Sequence, residues 1–112
     1  MRKSFIQLTT LSEVERFICD HQLAFLYISR PDCSVCHGLL PQVTEMMTEF
    51  PKIKLGHINA DEIPEIAGRF SIFTVPVLLL FVDGKEHLRE ARIVHMNLFK
   101  EKIKQIYDHI TS

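Results

Sequence analysis

Two stretches with different hydrophobic periods lie six residues apart early in the chain, and their succession constrains the fold more than any other feature. Leu23 to Ser29 (LAFLYIS) is a short apolar and aromatic run, the pattern of a buried β-strand. From Cys36 onward, apolar residues recur with the period of one helical face, and Pro51 ends the pattern. This face consists of Cys36, Leu39, Leu40, Val43, Met46, Met47 and Phe50. The sequence therefore predicts a buried strand followed directly by a helix.

Four further segments are predicted to be strands, and the most apolar of them is Val77 to Val82. It is followed by Asp83-Gly84, a strong signal for a two-residue hairpin turn. The return segment is charged enough to lie at a sheet edge. The four predicted strands are Phe5 to Leu8, Ile53 to Asn59, Val77 to Val82 and about Glu86 to Val94.

Three further helices are predicted between and after these strands. Ser12-Glu13-Val14-Glu15 has the spacing of a capping box and would open a helix whose apolar face includes Phe17 and Ile18. Asp61 would cap a short helix, and an amphipathic helix would close the chain. The apolar positions of these last two helices are Ile63, Ile66, Ala67 and Phe70, and then Phe99, Ile103, Ile106, Tyr107 and Ile110.

The order of elements is β-α-β-α-β-α-β-β-α, which favours one particular architecture. Alternating strands and helices that close with a hairpin give a mixed sheet covered on both faces. We therefore expect an α/β fold with about five strands. The 112 residues are expected to form a single domain, because this length buries a core without disulfide bonds.

Composition excludes several classes of function. The formal net charge is −1, so no basic surface is expected to bind nucleic acid or anionic membranes. The longest apolar run, Val75 to Val82, contains a proline and is too short to span a bilayer. The N-terminal segment has no apolar stretch of the length found in signal peptides. We therefore expect a cytoplasmic protein, in which a purely structural disulfide would be unusual.

The segment Asp32-Cys33-Ser34-Val35-Cys36-His37-Gly38 carries the chemistry, and its spacing matches more than one kind of site. C-x-x-C occurs in redox dithiols and in half of a zinc site, and C-x-x-C-H in c-type haem attachment. Haem is disfavoured by the expected location and by the lack of an identifiable second axial ligand. Zinc is disfavoured because Cys19 has no partner cysteine and the histidines are not paired. A pair of buried structural cysteines is the remaining alternative.

The local architecture favours a redox role. A C-x-x-C between a strand and a helix, inside a β-α-β unit of a cytosolic protein, is typical of a thioredoxin-like motif. With this motif in place, the whole chain resembles the thioredoxin family, and specifically its small bacterial cytosolic members. The matching residues are Cys33, Cys36, the helix proline Pro41, Asn59-Ala60-Asp61, Val75-Pro76 and Asp83-Gly84-Lys85.

The resemblance implies a thiol–disulfide oxidoreductase that reduces protein disulfides through a reversible Cys33–Cys36 disulfide. Cys33, at the helix start, would be the nucleophile, and Cys36, on the buried helix face, would be the resolving thiol. The Val75–Pro76 bond is expected to be cis, and this loop, with Thr74, would pair with an extended client segment. No metal or organic cofactor is implied. A flavin-dependent thioredoxin reductase or a low-molecular-weight thiol would supply electrons.

The alternative is a thioredoxin-fold binding or adaptor module with little redox turnover, and the departures from the family pattern support it. Asp32 replaces the usual tryptophan, and Ser34-Val35 replaces Gly-Pro between the cysteines. Tyr27 falls at the position of a buried acid, and His57 at that of its lysine partner. We expect these two side chains to share a hydrogen bond, through which His57 would assist proton removal from Cys36 near neutral pH.

The Cys33 thiol is expected to have a lowered pKa. The helix dipole would stabilise its thiolate by about 0.3–1 kcal/mol, and each N–H donor by about 1.5–3 kcal/mol. The Asp32 carboxylate opposes this by about 0.7–1.4 kcal/mol at about 6 Å. The pKa of Cys33 should therefore be lowered, but by less than it would be without the Asp32 carboxylate.

Three other residues have simpler interpretations. Cys19 lies off the apolar stripe of its helix and is interpreted as a bystander thiol, the alternative being a regulatory site modified by glutathione. His37 is expected to point to solvent on the second turn of its helix, from where it would slightly tune the thiols. Pro41 is expected to kink the helix because it removes one backbone hydrogen bond.

Overall fold

A five-stranded mixed sheet forms the centre of the computed structural model, which describes residues 4–91 and 94–112. The strand order is β1-β3-β2-β4-β5, with β1, β3 and β2 parallel and β4 and β5 antiparallel to their neighbours. The strands are β1 (Ile6–Leu8), β2 (Leu23–Ser29), β3 (Lys54–Asn59), β4 (Val77–Val82) and β5 (Lys85–Ala91). The predicted fold class and order of elements are confirmed.

Four helices cover the two faces of this sheet. α1 and α3 pack on one face, and α2 and α4 pack on the other. The helices are α1 (Leu11–Asp20), α2 (Ser34–Met47), α3 (Ile66–Phe70) and α4 (Met96–Thr111). Within residues 4–91 and 94–112, no helix combines the length and apolar character needed to cross a membrane.

The central strand β2 separates the two cores and sets where α2 begins. All seven of its residues are buried, and their side chains alternate between the two cores. Leu26 and Ile28 lie in the same core as the α1 and α3 side chains, whereas Phe25 and Tyr27 lie in the core of α2 and α4. Because β2 lies between β3 and β4, the chain leaves it near the middle of the sheet and enters α2 directly above that point.

The β4–β5 hairpin has the predicted two-residue turn. Asp83 and Gly84 both have positive φ angles, 51° and 81°, as the tight primed turn requires. β5 lies at the sheet edge, as its charge predicted. Its described span is Lys85–Ala91, residues 92 and 93 of the predicted strand lie outside the described residues, and Val94 is not part of a strand.

Two predicted helix caps are wrong. The capping box of α1 uses Thr10, whose hydroxyl accepts from the Glu13 N–H at 3.1 Å, and not Ser12. Both residues precede a glutamate by three positions, but the helix starts earlier because Leu11 packs against the core. Asp61 does not cap α3, which starts at Ile66 after Glu65. The Asp61 carboxylate instead pairs with Arg30 at 3.2 Å.

The helix after the cysteines is shorter than predicted. α2 ends at Met47, four residues before Pro51, and the chain continues in turns. Phe50 still lies in the same core as the α2 side chains. Its apolar position therefore reflects burial in a turn, which the helical period alone cannot distinguish from burial on a helix.

Gly56 of β3 offers a stability test of this core. A Cβ at this position would lie 2.8 Å from Leu8 Cδ1, and 3.0 Å from both Leu26 Cδ2 and Phe17 Cε2. All three neighbours are buried. We expect Gly56→Ala to lower the free energy of unfolding by about 1–3 kcal/mol, because the closed core must shift. Urea denaturation measures this change.

Gly68→Ala in α3 is the matched control. A Cβ there would meet nothing within 4 Å, and alanine favours the helix by about 0.5–1 kcal/mol. A Gly56→Ala protein as stable as the original would show that the Leu8, Leu26 and Phe17 side chains yield without cost.

Candidate active site

Cys33 is the N-cap residue of α2, so its sulfur lies at the start of the helix. Its Sγ accepts a hydrogen bond from the Cys36 N–H at 3.1 Å. Its own N–H donates to the Arg30 carbonyl at 3.2 Å, which turns the chain from β2 into the helix. Cys33 and Cys36 form a disulfide with their Cα atoms 5.3 Å apart. The expected position of Cys33 at the helix start is confirmed.

The two cysteines are unequally accessible. Cys36 is 1% exposed, as its place on the buried face predicted, whereas Cys33 is half-buried. Any partner that approaches from solvent therefore meets the Cys33 sulfur first.

A loop from the other side of the sheet completes the site. A cleft of about 450 Å³ is lined by Asp32, Cys33, Ser34, Val35, Thr74, Val75 and Pro76. The Val75–Pro76 peptide bond is cis. The loop is anchored at both ends, since Ile72 is buried and Val75 packs against the same core. The structure thus brings the expected client-binding segment next to Cys33.

Tyr27 lies beneath the disulfide, on the buried side of α2. Its hydroxyl donates to the Cys36 carbonyl oxygen at 2.6 Å. Burial raises the pKa of Tyr27 to about 12, so the phenol remains a neutral donor over the physiological range. The predicted hydrogen bond between Tyr27 and His57 is wrong. The two side chains meet through their rings, with centroids 5.8 Å apart, because the hydroxyl extends past the imidazole to the helix.

Both ring nitrogens of His57 have other partners. Nδ1 lies 3.0 Å from Gln7 Oε1, and Nε2 lies 2.7 Å from the Ser29 hydroxyl. Since the amide oxygen is an acceptor, Nδ1 carries the hydrogen and Nε2 accepts from Ser29. Burial lowers the pKa of His57, and nearby His37 lowers it further. Its assistance to Cys36 stays a prediction, which these two existing hydrogen bonds do not favour.

Sequence reasoning did not single out the partners of His57 or the apolar residue nearest the client loop. Gln7 lies in register with His57 on adjacent strands, and this register is visible only once the strands are paired. Phe73, next to Thr74, is 88% exposed. No pattern in the sequence separates it from the phenylalanines of the core.

The remaining predicted residues have peripheral positions. His37 is exposed, as expected, and its Nε2 donates to the Pro31 carbonyl at 2.8 Å, which ties the loop to the helix. Cys19 is a free, exposed thiol, and Pro41 lies inside α2. Among residues 4–91 and 94–112, no three His, Cys, Asp or Glu side chains are grouped as a metal site would require.

A C-x-x-C disulfide at a helix start, facing a cis-proline loop on a mixed sheet, defines the class of protein as a thioredoxin-type thiol–disulfide oxidoreductase. The sequence model of the family described as Thioredoxin matches residues 6–108, so the chain belongs to the thioredoxin family. It is 56% identical over 105 residues to the thioredoxin-like protein YdfQ of Bacillus subtilis (strain 168), covering 94% of each chain.

Solved structures agree on the fold. Mitochondrial thioredoxin 3 of Saccharomyces cerevisiae, in its oxidised form, superposes with a TM-score of 0.79 at 21% identity, covering 90% of this chain and 94% of the other. The thioredoxin of Trypanosoma brucei brucei gives a TM-score of 0.82 at 17% identity, covering 95% of this chain and 93% of the other. The family resemblance and the thiol–disulfide oxidoreductase class inferred from the sequence are confirmed.

The lowered pKa of His57 predicts a contribution to the pH dependence of stability. As the pH falls below about 6.5, His57 binds a proton in the unfolded chain but stays unprotonated in the folded protein, because its folded-state pKa is lower. The free energy of unfolding should therefore decrease until the pH reaches the folded-state pKa. We expect His57→Gln to flatten this decrease between pH 7 and pH 5, measured by urea denaturation. Exposed His87→Gln is the control, and an unchanged slope in His57→Gln would contradict the assignment.

Proposed function

We propose that this protein reduces disulfide bonds in other proteins, with Cys33 as the nucleophile and Cys36 as the resolving thiol. The observation that carries the proposal is the position of Cys33, whose sulfur caps α2, accepts the Cys36 N–H and lines the cleft beside Pro76. A Cys33 thiolate at this position would accept the same hydrogen bond from the Cys36 N–H that the disulfide sulfur accepts in the structure.

The exchange proceeds in two steps that together move two electrons and two protons. The Cys33 thiolate attacks one client sulfur, a mixed disulfide forms, and the client's other sulfur leaves as a thiolate and is protonated. Cys36 then loses its proton and attacks the Cys33 sulfur, which releases the second client sulfur as a thiolate that is protonated in turn. The protein dithiol is oxidised to the disulfide, and the client disulfide is reduced to two thiols.

The surface around the cleft supports a protein client. The loop at Thr74 to Pro76 offers backbone groups to an extended segment beside Cys33. Val35, between the two cysteines, is 61% exposed, and Phe73, just before the loop, is 88% exposed. Both side chains add apolar contact area beside the cleft. An extended client chain can use both the backbone and the apolar contacts.

The electron source belongs to the same proposal. A flavin-dependent thioredoxin reductase or a low-molecular-weight thiol would return the disulfide to the dithiol, and the exchange itself requires no metal or organic cofactor. We place this cycle in the cytoplasm. The free, exposed thiol of Cys19 supports a reducing location, where such a thiol persists.

Trapping by cysteine variants tests the two roles. Cys36→Ser should stop the second step and leave the protein joined to its clients by a mixed disulfide that reductant releases. Cys33→Ser should trap almost nothing, because Cys36 is 1% exposed. Each variant, made in a Cys19→Ser background, is used to capture cytosolic proteins, and the products are compared on non-reducing gels.

Two results would go against the proposal. Equal trapping by both variants would refute the assignment of nucleophile and resolving thiol. Absence of trapping by either variant, with Cys33 still reactive to small alkylating agents, would favour the adaptor function. Insulin reduction with and without a reductase system provides the matching activity measurement.

The charge of Asp32 should oppose the Cys33 thiolate. We expect Asp32→Asn to lower the Cys33 pKa by about 0.5–1 unit, the equivalent of the Coulomb cost of a carboxylate about 6 Å away. The pH profile of Cys33 alkylation measures the shift. Asp20→Asn, at the end of α1, is the control and should leave the profile unchanged. A Cys33 midpoint at or above about 8.5 in the original protein would contradict a lowered pKa altogether.

A further inference from the structure

We propose that Tyr27 is a positioning residue for the nucleophile, because its hydroxyl holds the backbone of residue 36 so that the N–H of this residue points at Cys33. The inference rests on the proposed function, in which Cys33 is the attacking thiolate. Tyr27 would act without touching the client or either sulfur, through the peptide groups of the first turn of α2.

Both backbone groups of Cys36 are engaged at the site. Its N–H donates to Cys33 Sγ at 3.1 Å, and its carbonyl oxygen accepts from the Tyr27 hydroxyl at 2.6 Å. The Cys36 side chain is buried and joined to Cys33. Once the disulfide is reduced, the covalent link between the cysteines is gone. The Tyr27 hydrogen bond then remains as a restraint from the sheet on the residue whose N–H stabilises the Cys33 sulfur.

Tyr27 is itself held in place. It lies in the central strand β2, where it is paired with His57 on one side and Leu78 on the other, and it is 0% exposed. Its ring contacts the rings of Phe5 and His57, with centroid distances of 6.2 Å and 5.8 Å. The hydroxyl therefore occupies a fixed position relative to the sheet. With its pKa raised to about 12, it does not change from donor to acceptor over the working pH range.

The first half of α2 has a particular need for such a restraint. Pro41 has no N–H, so the His37 carbonyl lacks its ordinary helical donor one turn later. The helix is thus missing one of the bonds that would fix the turn carrying the cysteines. A donor from β2 onto the adjacent carbonyl, that of Cys36, restores part of this restraint from outside the helix.

Replacing each of the two tyrosines of the chain by phenylalanine tests the proposal. In reduced protein with Cys19→Ser, we expect Tyr27→Phe to raise the Cys33 pKa by about half a unit, so that alkylation at pH 7 is about threefold slower. Tyr107→Phe is the matched control. It also removes a tyrosine hydroxyl that makes a backbone hydrogen bond, here to the Lys52 N–H at 3.2 Å, but far from the cysteines in the fold. Its Cys33 profile should equal that of the original protein.

A strengthened donor should shift the pKa in the opposite direction. In a Tyr107→Phe background, incorporation of 3-fluorotyrosine places the analogue at position 27 alone. Because fluorine makes the phenol more acidic, the hydrogen bond to the Cys36 carbonyl becomes stronger, and the Cys33 pKa should fall. This protein retains the ring and hydroxyl, so the measurement is available even if Tyr27→Phe folds poorly.

The readouts separate positioning from packing. If Tyr27→Phe lowers the free energy of unfolding but leaves the Cys33 profile within error of Tyr107→Phe, Tyr27 is only a core residue and the proposal is overturned. A fluorotyrosine protein with an unchanged or raised Cys33 pKa would also overturn it. Failure of the proposed function would look different, because Cys36→Ser would then trap no clients whatever the effect of Tyr27 on the Cys33 profile.

Discussion

The complete burial of β2 between a parallel and an antiparallel neighbour determines where the chemistry can occur. A strand whose seven residues are all buried must be satisfied by strands on both sides, which places it at the middle of the sheet. The chain that leaves it has to turn at once, since a further extended segment would have no partner. The turn at Arg30 to Asp32 therefore places Cys33 at the start of α2, next to backbone N–H groups that have no partner within the helix.

This arrangement makes two chemically identical side chains different. Cys33 receives a backbone donor and faces the cleft, whereas Cys36, three residues later, turns into the protein. Both differences start from the backbone, and the Tyr27 hydroxyl then holds the Cys36 donor in place. Both follow from one residue capping the helix and the other lying inside its first turn, so the asymmetry is a property of the strand–helix junction.

The sequence predicted the elements that have a local pattern along the chain. It missed the features that depend on contacts between segments far apart in the sequence. The helical period of α2, the run Val77 to Val82 and the Asp83-Gly84 turn are local signals, and each element was found. Thr10 and Ser12 both offer a hydroxyl three residues before a glutamate, and only the packing of Leu11 separates them. The direction of the Tyr27 hydroxyl was also beyond local pattern, because it depends on how α2 lies over the sheet.

The polar groups behind the disulfide give this site a distinctive titration behaviour. The phenol of Tyr27 stays protonated at physiological pH, and burial lowers the pKa of His57, whose two ring nitrogens are occupied by Gln7 and Ser29. The Tyr27 phenol is therefore not a base at this pH, and His57 would have to give up one of its two hydrogen bonds to act as a base for Cys36. What the buried tyrosine supplies instead is geometry, a fixed donor in place of a group that gains or loses a proton.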